Sequence, residues 1–355
     1  MDPQRELLRE LTDATGLPGF EQEIREIIAR HLGPDDLSYD RLGSIIARRE
    51  GSSGGPRVML AGHMDEIGFM VTQVTEKGFL RFQTLGGWWE HVMLAQRVVV
   101  KGKQGDVPGI IGSKPPHILS PDDRKKLVEK KDMFIDIGAS SREEAREMGV
   151  RPGDPVVPDS PFRVMKSGHH LLAKAWDDRV GCAMFVEVLR HLRGTRHPNT
   201  VFGVGTAQEE VGLRGATTSV HVVNPDVAFV LEVDIAGDMP GVAEHEAQAK
   251  LGGGPSILIY DGSMVPNFRL RDLVRETADK EGIPWQVNAM PGGGTDAGRI
   301  HLHAAGVPSL VIGVPCRYIH SHSGIIDQHD FRKAVELLVA VIARLDSPTV
   351  ASLTA

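Results

Sequence analysis

From about residue 165 to residue 345 the chain alternates short apolar runs with amphipathic helical stretches, and no other feature constrains the fold as much. The helical pattern Arg179–Leu192 precedes the apolar run Thr200–Thr206. A helical stretch near 213–222 precedes 227–233, Phe268–Lys280 precedes Trp285–Ala289, and Asp296–His303 precedes Ser309–Gly313. Asp330–Leu345 closes the series as a helix. Strand-sized runs separated by helices form a mostly parallel α/β sheet with helices on both faces, because parallel neighbours need crossover connections. The beginning of the chain joins the same sheet. Two amphipathic helices (Leu7, Leu8 and Leu11 in the first, Ile27 and Ile28 in the second) lead to the buried-type strand Arg57–Ala61 and then to Gly62-His63-Met64-Asp65-Glu66.

The texture changes from about Phe69 to Val164. Short Val-, Ile- and Phe-rich runs (Phe79–Phe82, Val98–Val100, Met133–Ile137) alternate with Gly, Pro and Lys turns, and one helical piece, Ser141–Met148, interrupts them. The pattern predicts an α/β domain made of residues 1–68 and 165–355, interrupted by a β-rich insertion over 69–164. The lysine-rich stretch 121–131 reads as an exposed loop.

Composition removes several classes of function. With 40 Lys+Arg against 47 Asp+Glu the net charge is −7, which gives no electrostatic warrant for nucleic-acid binding. The longest apolar runs are strand-sized, short of the ~20 residues of a membrane helix. The charged start, MDPQRELLREL, has no apolar segment of the secretory kind, and two cysteines, Cys182 and Cys316, make no disulfide framework; together these predict a cytoplasmic protein. The 15 His and 47 acidic residues are a stock of metal ligands.

In open α/β sheets ligands gather beyond the carboxyl ends of the strands. At such positions stand His63 with Asp65, Asp177-Asp178, Glu209-Glu210, Asp234, and His320. A dinuclear site needs a bridging carboxylate and terminal ligands for each ion. His63 and Asp234 can serve one ion and Glu210 and His320 the other, with Asp177 between them. Three carboxylates against two divalent ions leave a formal charge of about +1, which favours bound hydroxide. Imidazole with carboxylate suits Zn, Co or Mn rather than Ca or Mg. Asp65 is placed to orient His63, and Glu209 to stay free of metal as a base that passes a proton to the leaving amine. As a glycosidase pair, adjacent Glu209 and Glu210 do not flank a sugar bond from opposite sides.

Five ordered motifs, spread over nearly the whole chain, carry a resemblance: Ala61-Gly-His-Met-Asp-Glu-Ile-Gly, Ala175-Trp-Asp-Asp-Arg-Val-Gly, Thr206-Ala-Gln-Glu-Glu-Val-Gly-Leu-Arg-Gly-Ala, Gly292-Gly-Gly-Thr-Asp-Ala and Arg317-Tyr-Ile-His-Ser. Together they resemble the M42 family of dinuclear metallo-aminopeptidases, the tetrahedral and glutamyl aminopeptidases, some members of which have been labelled cellulases. By position the resemblance implies that His63, Asp177, Glu210, Asp234 and His320 bind two divalent ions per subunit, zinc first, with cobalt or manganese as alternatives. It implies that Glu209 is the general base, that Asp65 stands behind the histidine, and that the Asp177–Asp178 peptide is cis. Similar proteins often read His-Ser-Pro where this chain reads His320-Ser321-His322-Ser323; motif position favours His320 as ligand. The resemblance also implies short peptides as substrates and a barrel-like insertion that pairs subunits into dimers, and dimers into a tetrahedral dodecamer.

Two other readings remain open at this stage, a polysaccharide hydrolase and a non-catalytic metal-binding scaffold of the same fold. Aromatic residues are only 5%, without a sugar-stacking cluster, and an intact Glu209 is superfluous in a scaffold. Gly292–Thr295 could cradle substrate with its backbone, Trp88-Trp89 cover the local core of the insertion or an interface, and His169-His170, His301 and His303 read as surface or packing residues. Nothing in the sequence selects among acidic, basic and apolar N-terminal residues.

Overall fold

The computed structural model describes residues 2–33, 36–51 and 54–355. Its larger unit is an eleven-stranded mixed sheet. The centre is parallel: Thr200–Thr206, Arg57–His63, Val227–Ile235 and Ser309–Arg317 lie side by side in that order, with His63 opposite Thr206. These strands are buried on both faces, which is why they read as near-continuous apolar runs. The flanks are antiparallel. Asp36–Tyr39 and Ile45–Arg49 extend one edge, and Gly324–Asp327, His170–Ala173 and Arg163–Val164 extend the other. These short strands had escaped the sequence pattern, being too brief for a period to register. Ser256–Asp261 pairs antiparallel with Ser309–Arg317 and parallel with Gln286–Met290.

Helices cover both faces. Pro3–Asp13, Gln22–Leu32, Trp176–Leu192, Phe268–Glu281 and Gln328–Ile342 pack on one side, where Phe185, Phe229 and Phe331 are wholly buried. Arg214–Val223 and the single turn Ala297–Ile300 pack on the other. That turn is shorter than the expected 296–303 helix. Asp296 does not cap it with its side chain, and Ala304 takes a left-handed conformation just beyond. Among the described residues no helix is long and apolar enough to cross a membrane.

Between Gly68 and Pro158 the chain closes an antiparallel barrel, in the order Gly68–Val74, Leu80–Leu85, Phe134–Asp136, Gly105–Gly112, Arg97–Gly102, Pro155–Pro158. Its core holds Phe69, Val71, Leu80, Val100, Ile111 and Ile135. The helix Arg142–Glu147, capped by the Ser141 hydroxyl, sits where the sequence predicted it. The lysine-rich loop is exposed. The two tryptophans part company: Trp88 stacks on Phe69 at 4.6 Å between centroids and donates its N–H to Gly68, whereas Trp89 is 61% exposed.

Candidate metal centre

The site lies at the carboxyl ends of the parallel strands, against one loop of the barrel. Its first requirement is that the start of the Trp176–Leu192 helix approach the end of the Arg57–His63 strand. Glycine permits this: a Cβ on Gly62 would come within 2.7 Å of the Gly181 carbonyl carbon, and one on Gly181 within 2.3 Å of the Leu231 oxygen. Asp178 then ties the two elements, accepting the backbone N–H of His63 at 2.9 Å and of Gly181 at 3.0 Å. The Asp177–Asp178 peptide is cis. Arg179, fully buried, donates to the carbonyls of Met64, Leu11 and Gly16, and its neighbour Lys174 pairs with Glu66.

Asp177 is the hub. Its Oδ1 lies 2.9 Å from Nε2 of His63, and its Oδ2 lies 3.3 Å from Nε2 of His320. The same His320 nitrogen is 3.5 Å from Glu210 Oε1. Both rings are turned the same way by carbonyls behind them. His63 Nδ1 donates to the Asp65 carbonyl at 2.8 Å, and His320 Nδ1 to the Gly87 carbonyl at 2.7 Å, so each presents Nε2 to the acids. His63, Asp177 and Glu210 offer ligand atoms all within 4.8 Å of one another, and so do His63, Asp178 and Glu232. Glu209 lies just behind, its Oε2 3.9 Å from His63 Nε2.

Asp234 falls outside these groups of ligand atoms, although its Oδ2 is buried without a hydrogen-bond partner. Its Oδ1 accepts the Asn288 amide at 2.7 Å and the Ile235 N–H at 2.8 Å. Burial lifts its pKa to about 6, opposed by hydrogen bonds including that from Asn288. Glu232, two residues earlier, reaches the cluster instead. Side chains two apart share a sheet face, so a longer carboxylate one pleat back can supply what the shorter one at the strand end does not. A signal for it was present: Glu232 is the single charge inside the apolar run Val227–Val233. Asp65 stands behind His63, as the resemblance implies, and also holds the next turn. Its carboxylate is 3.6 Å from His63 Nδ1, and its stronger contacts are the backbone N–H groups of Glu209 at 2.9 Å and Glu210 at 3.0 Å. Asp296 was missed as well; it accepts the Thr206 hydroxyl at 2.5 Å and its charge bears on Glu209.

The electrostatics are those of a cation site. Burial, then the charge of Asp177, pushes Glu210 up to about 8. Burial also raises Glu209, with Asp296, Glu210 and Asp65 adding to it, and raises Glu232, with Asp178 adding. Burial by itself would depress His320, but Asp177 and Glu210 overcome it and carry the ring to about 9; at His63 burial is likewise outweighed by Glu209 and Asp177, which raise that ring well above its ordinary value. Glu210 Oε1 is buried without a hydrogen-bond partner. Several carboxylates and two imidazoles thus compete for protons in a space where a doubly charged ion would satisfy them all, and nitrogen with oxygen donors fits Zn, Co or Mn. His322 has no such role. It is buried against Trp88, burial lowers it to about 4, and both its ring nitrogens lack partners. Cys182, beside the His63 carbonyl, and Cys316 are buried, which pushes both thiols up and leaves them unreactive.

The cluster opens into a cleft of about 770 Å³, walled by Leu213, Ile235, Glu246 and Met290 and by the Gly292–Thr295 loop. His169, His301 and His303 lie away from it.

A parallel-centred α/β sheet with a closed barrel beside it, and an acid–imidazole cluster at the strand ends, is the architecture of peptide hydrolases of the TET aminopeptidase type. A TET aminopeptidase from a marine-sediment Thaumarchaeota archaeon superposes with a TM-score of 0.97 at 52% identity over 99% of both chains. The chain belongs to the M42 glutamyl aminopeptidase family, whose model matches residues 43–337. It is 34% identical to the glutamyl aminopeptidase of Lactococcus lactis (98% of each chain) and 32% identical to the lysyl aminopeptidase of Pyrococcus furiosus (96% of this chain, 97% of the other). The TET1 peptidase of Pyrococcus horikoshii, which can assemble into a tetrahedron or a large octahedral shell, matches with a TM-score of 0.86 at 33% identity over 96% of this chain and all of the other. The same fold occurs in a Thermotoga maritima protein described as an endoglucanase, at 29% identity and a TM-score of 0.78 over 98% of this chain and 99% of the other. The protein is therefore an aminopeptidase of a metal-dependent family.

Proposed function

We propose that this aminopeptidase removes single N-terminal residues from short peptides with two divalent ions, His63 and Glu232 serving one, Glu210 and His320 the other, and Asp177 both. The observation that carries this reading is the two-sided placement of Asp177, one carboxylate oxygen toward each imidazole. When bound, the ions polarise the scissile carbonyl and make water acidic enough to attack at neutral pH. Glu209 takes up the proton and delivers it to the leaving amine. Its carboxylate, not needed as a ligand, is buried and raised by its neighbours, as suits a group that must be protonated and deprotonated in turn. Asp65 fixes the turn that carries Glu209, and the carbonyls of Asp65 and Gly87 keep the two rings from swivelling.

The test pairs Glu209→Gln with metal analysis. The variant keeps its metal content and loses a factor of about 10²–10⁴ in peptide hydrolysis. Near-normal activity on aminoacyl nitroanilides would refute the role given to Glu209, and activity indifferent to EDTA would refute the ions. A cellulose substrate run alongside separates the peptidase from the polysaccharide hydrolase reading.

The barrel, Gly68 to Pro158 in the chain and so ending short of the expected residue 164, is proposed as the dimerisation unit, and the dimer as the building block of a dodecamer. Support comes from the assembly of the Pyrococcus horikoshii TET1 peptidase and from exposed apolar side chains on the barrel, Trp89 and Ile118 among them. Light scattering of the native protein decides the state, and a cytoplasmic site fits an enclosed peptidase that takes unfolded peptides.

A further inference from the structure

We propose that His169, His170 and Asp327 form a second, separate metal site for one divalent transition ion, on the antiparallel flank of the sheet away from the cleft. The three offer ligand atoms within 4.8 Å of one another. The backbone builds the platform. His170 stands opposite Asp327 in the antiparallel register of its strand with Gly324–Asp327, and the His169 carbonyl accepts the N–H of Gln328 at 3.0 Å, so all three residues are fixed by main-chain bonds. None of them lines the catalytic cleft.

The side chains are prepared for an ion rather than for each other. Asp327 caps the Gln328–Ile342 helix with Oδ1, which accepts the His329 N–H at 2.8 Å, and this leaves Oδ2 free to face the imidazoles. His169 donates Nδ1–H to the Ser167 carbonyl at 3.0 Å, so its lone pair is on Nε2, the atom turned toward Asp327. Oδ2 lies 3.8 Å from His169 Nε2 and 3.7 Å from His170 Nε2. Both distances exceed the ~3.2 Å limit of a good hydrogen bond. They come within a few tenths of an ångström of the ~3.3 Å that separates two donors sharing one tetrahedral zinc with bonds of ~2.0–2.1 Å. The two rings lie 4.4 Å apart between centroids, tilted to each other by 50°, and could reach one ion from the same side. Two imidazoles and one carboxylate select zinc, nickel or copper over calcium or magnesium. His169 is 55% exposed, so water completes the coordination and the ion can enter from solvent. Bound there, it would pin the 167–170 turn to the start of the Gln328–Ile342 helix.

The experiment uses the full-length, metal-loaded enzyme equilibrated with micromolar Zn²⁺, beside His169→Gln/His170→Gln and the single variant His170→Asn. The wild type is expected to hold one more zinc per subunit than the double variant by elemental analysis, and excess zinc to raise its Tm while leaving that of the double variant unmoved. Cu²⁺ added at one equivalent to the zinc-loaded enzyme is expected to give an electron paramagnetic resonance signal split by two imidazole nitrogens in the wild type and by one in His170→Asn. Circular dichroism and unchanged peptidase rates establish that the variants are folded. Equal zinc content and equal Tm response in wild type and double variant overturn the proposal, and that result would leave the two ions of the cleft untouched.

Discussion

The Nδ1–H of His320 donates to the carbonyl of Gly87 at 2.7 Å, so a loop of the barrel orients an imidazole at the end of the large sheet. The barrel thereby takes part in the site as well as standing beside it. Gly86, in the same loop, is in the left-handed region at φ 82°, and a Cβ there would come within 2.9 Å of Glu210 Oε2; on Gly87 a Cβ would come within 3.1 Å of His320 Nδ1.

Gly87→Ala should therefore tilt His320, the one residue within 4 Å of the added Cβ. The carbonyl survives the change, but a tilted ring makes a poorer hydrogen bond to it, and a fully lost orienting partner behind a metal-bound histidine costs about 10–100-fold in metal affinity, which sets the upper bound. The expected variant is folded, weak at limiting zinc and largely rescued by excess zinc. Activity measured against free metal concentration checks this; a drop that excess metal does not relieve would mean that the loop acts on substrate instead.

The parallel centre of the sheet was legible in the sequence because strands buried on both faces must be apolar throughout, and Thr200–Thr206 and Val227–Val233 stand out for that reason. His63, Asp177, Glu210 and His320 were legible because their motifs end strands or begin helices. Glu232 was not, since motif position and strand-end placement both point to Asp234, and only the direction of each side chain tells them apart. Three-dimensional neighbours such as Asp296 with Thr206, or Gly87 with His320, are separated by 90 and 233 residues and leave no local pattern. The edge strands were missed because pairing, rather than periodicity, defines them.

Glu232 and Asp234 give a direct contrast. Glu232→Gln removes a carboxylate that faces the imidazoles and should reduce metal content and activity by more than the ~10–100-fold of an outer-partner change. Asp234→Asn keeps an oxygen for the Asn288 amide and relieves a carboxylate that burial has already raised to about 6. It should retain bound metal in full and most of its activity. Elemental analysis of the two purified variants decides the assignment, and the reverse ranking would restore Asp234 to the cluster.

Stability should depend on pH through Asp330. Its carboxylate accepts the N–H groups of Gly252 and Gly254, yet burial raises it to about 7 against an unfolded value near 3.8. A raised folded value means that the native state holds the proton longer than the unfolded chain. The contribution is therefore full below about pH 4, declines as pH rises to about 7, and is level above that, with an upper bound on the order of 4 kcal/mol at 1.36 kcal/mol per unit. Asp330→Asn stays neutral, so the wild-type advantage over this variant should shrink across that window, by an amount that urea melts at pH 4.5 and 7.5 would measure. A difference between the two proteins that is the same at both pH values would contradict the assignment.

Asp65 separates two roles that the sequence alone could not. If it acted chiefly by orienting His63, its loss would empty the site of metal. Instead its two oxygens hold the backbone of Glu209 and Glu210, while the ring of His63 is bonded to the Asp65 carbonyl, which survives any side-chain change. Asp65→Asn replaces one acceptor with an N–H that faces another N–H, costing about 1–3 kcal/mol for the buried donor left unpaired and shifting the turn under Glu209. The expected result is kcat reduced by about 10-fold or more, since small displacements of a catalytic group cost rates of that order, with KM little changed and two metals still bound. Kinetics and elemental analysis on one preparation read both quantities. Metal lost in step with kcat would return Asp65 to the role of supporting the imidazole.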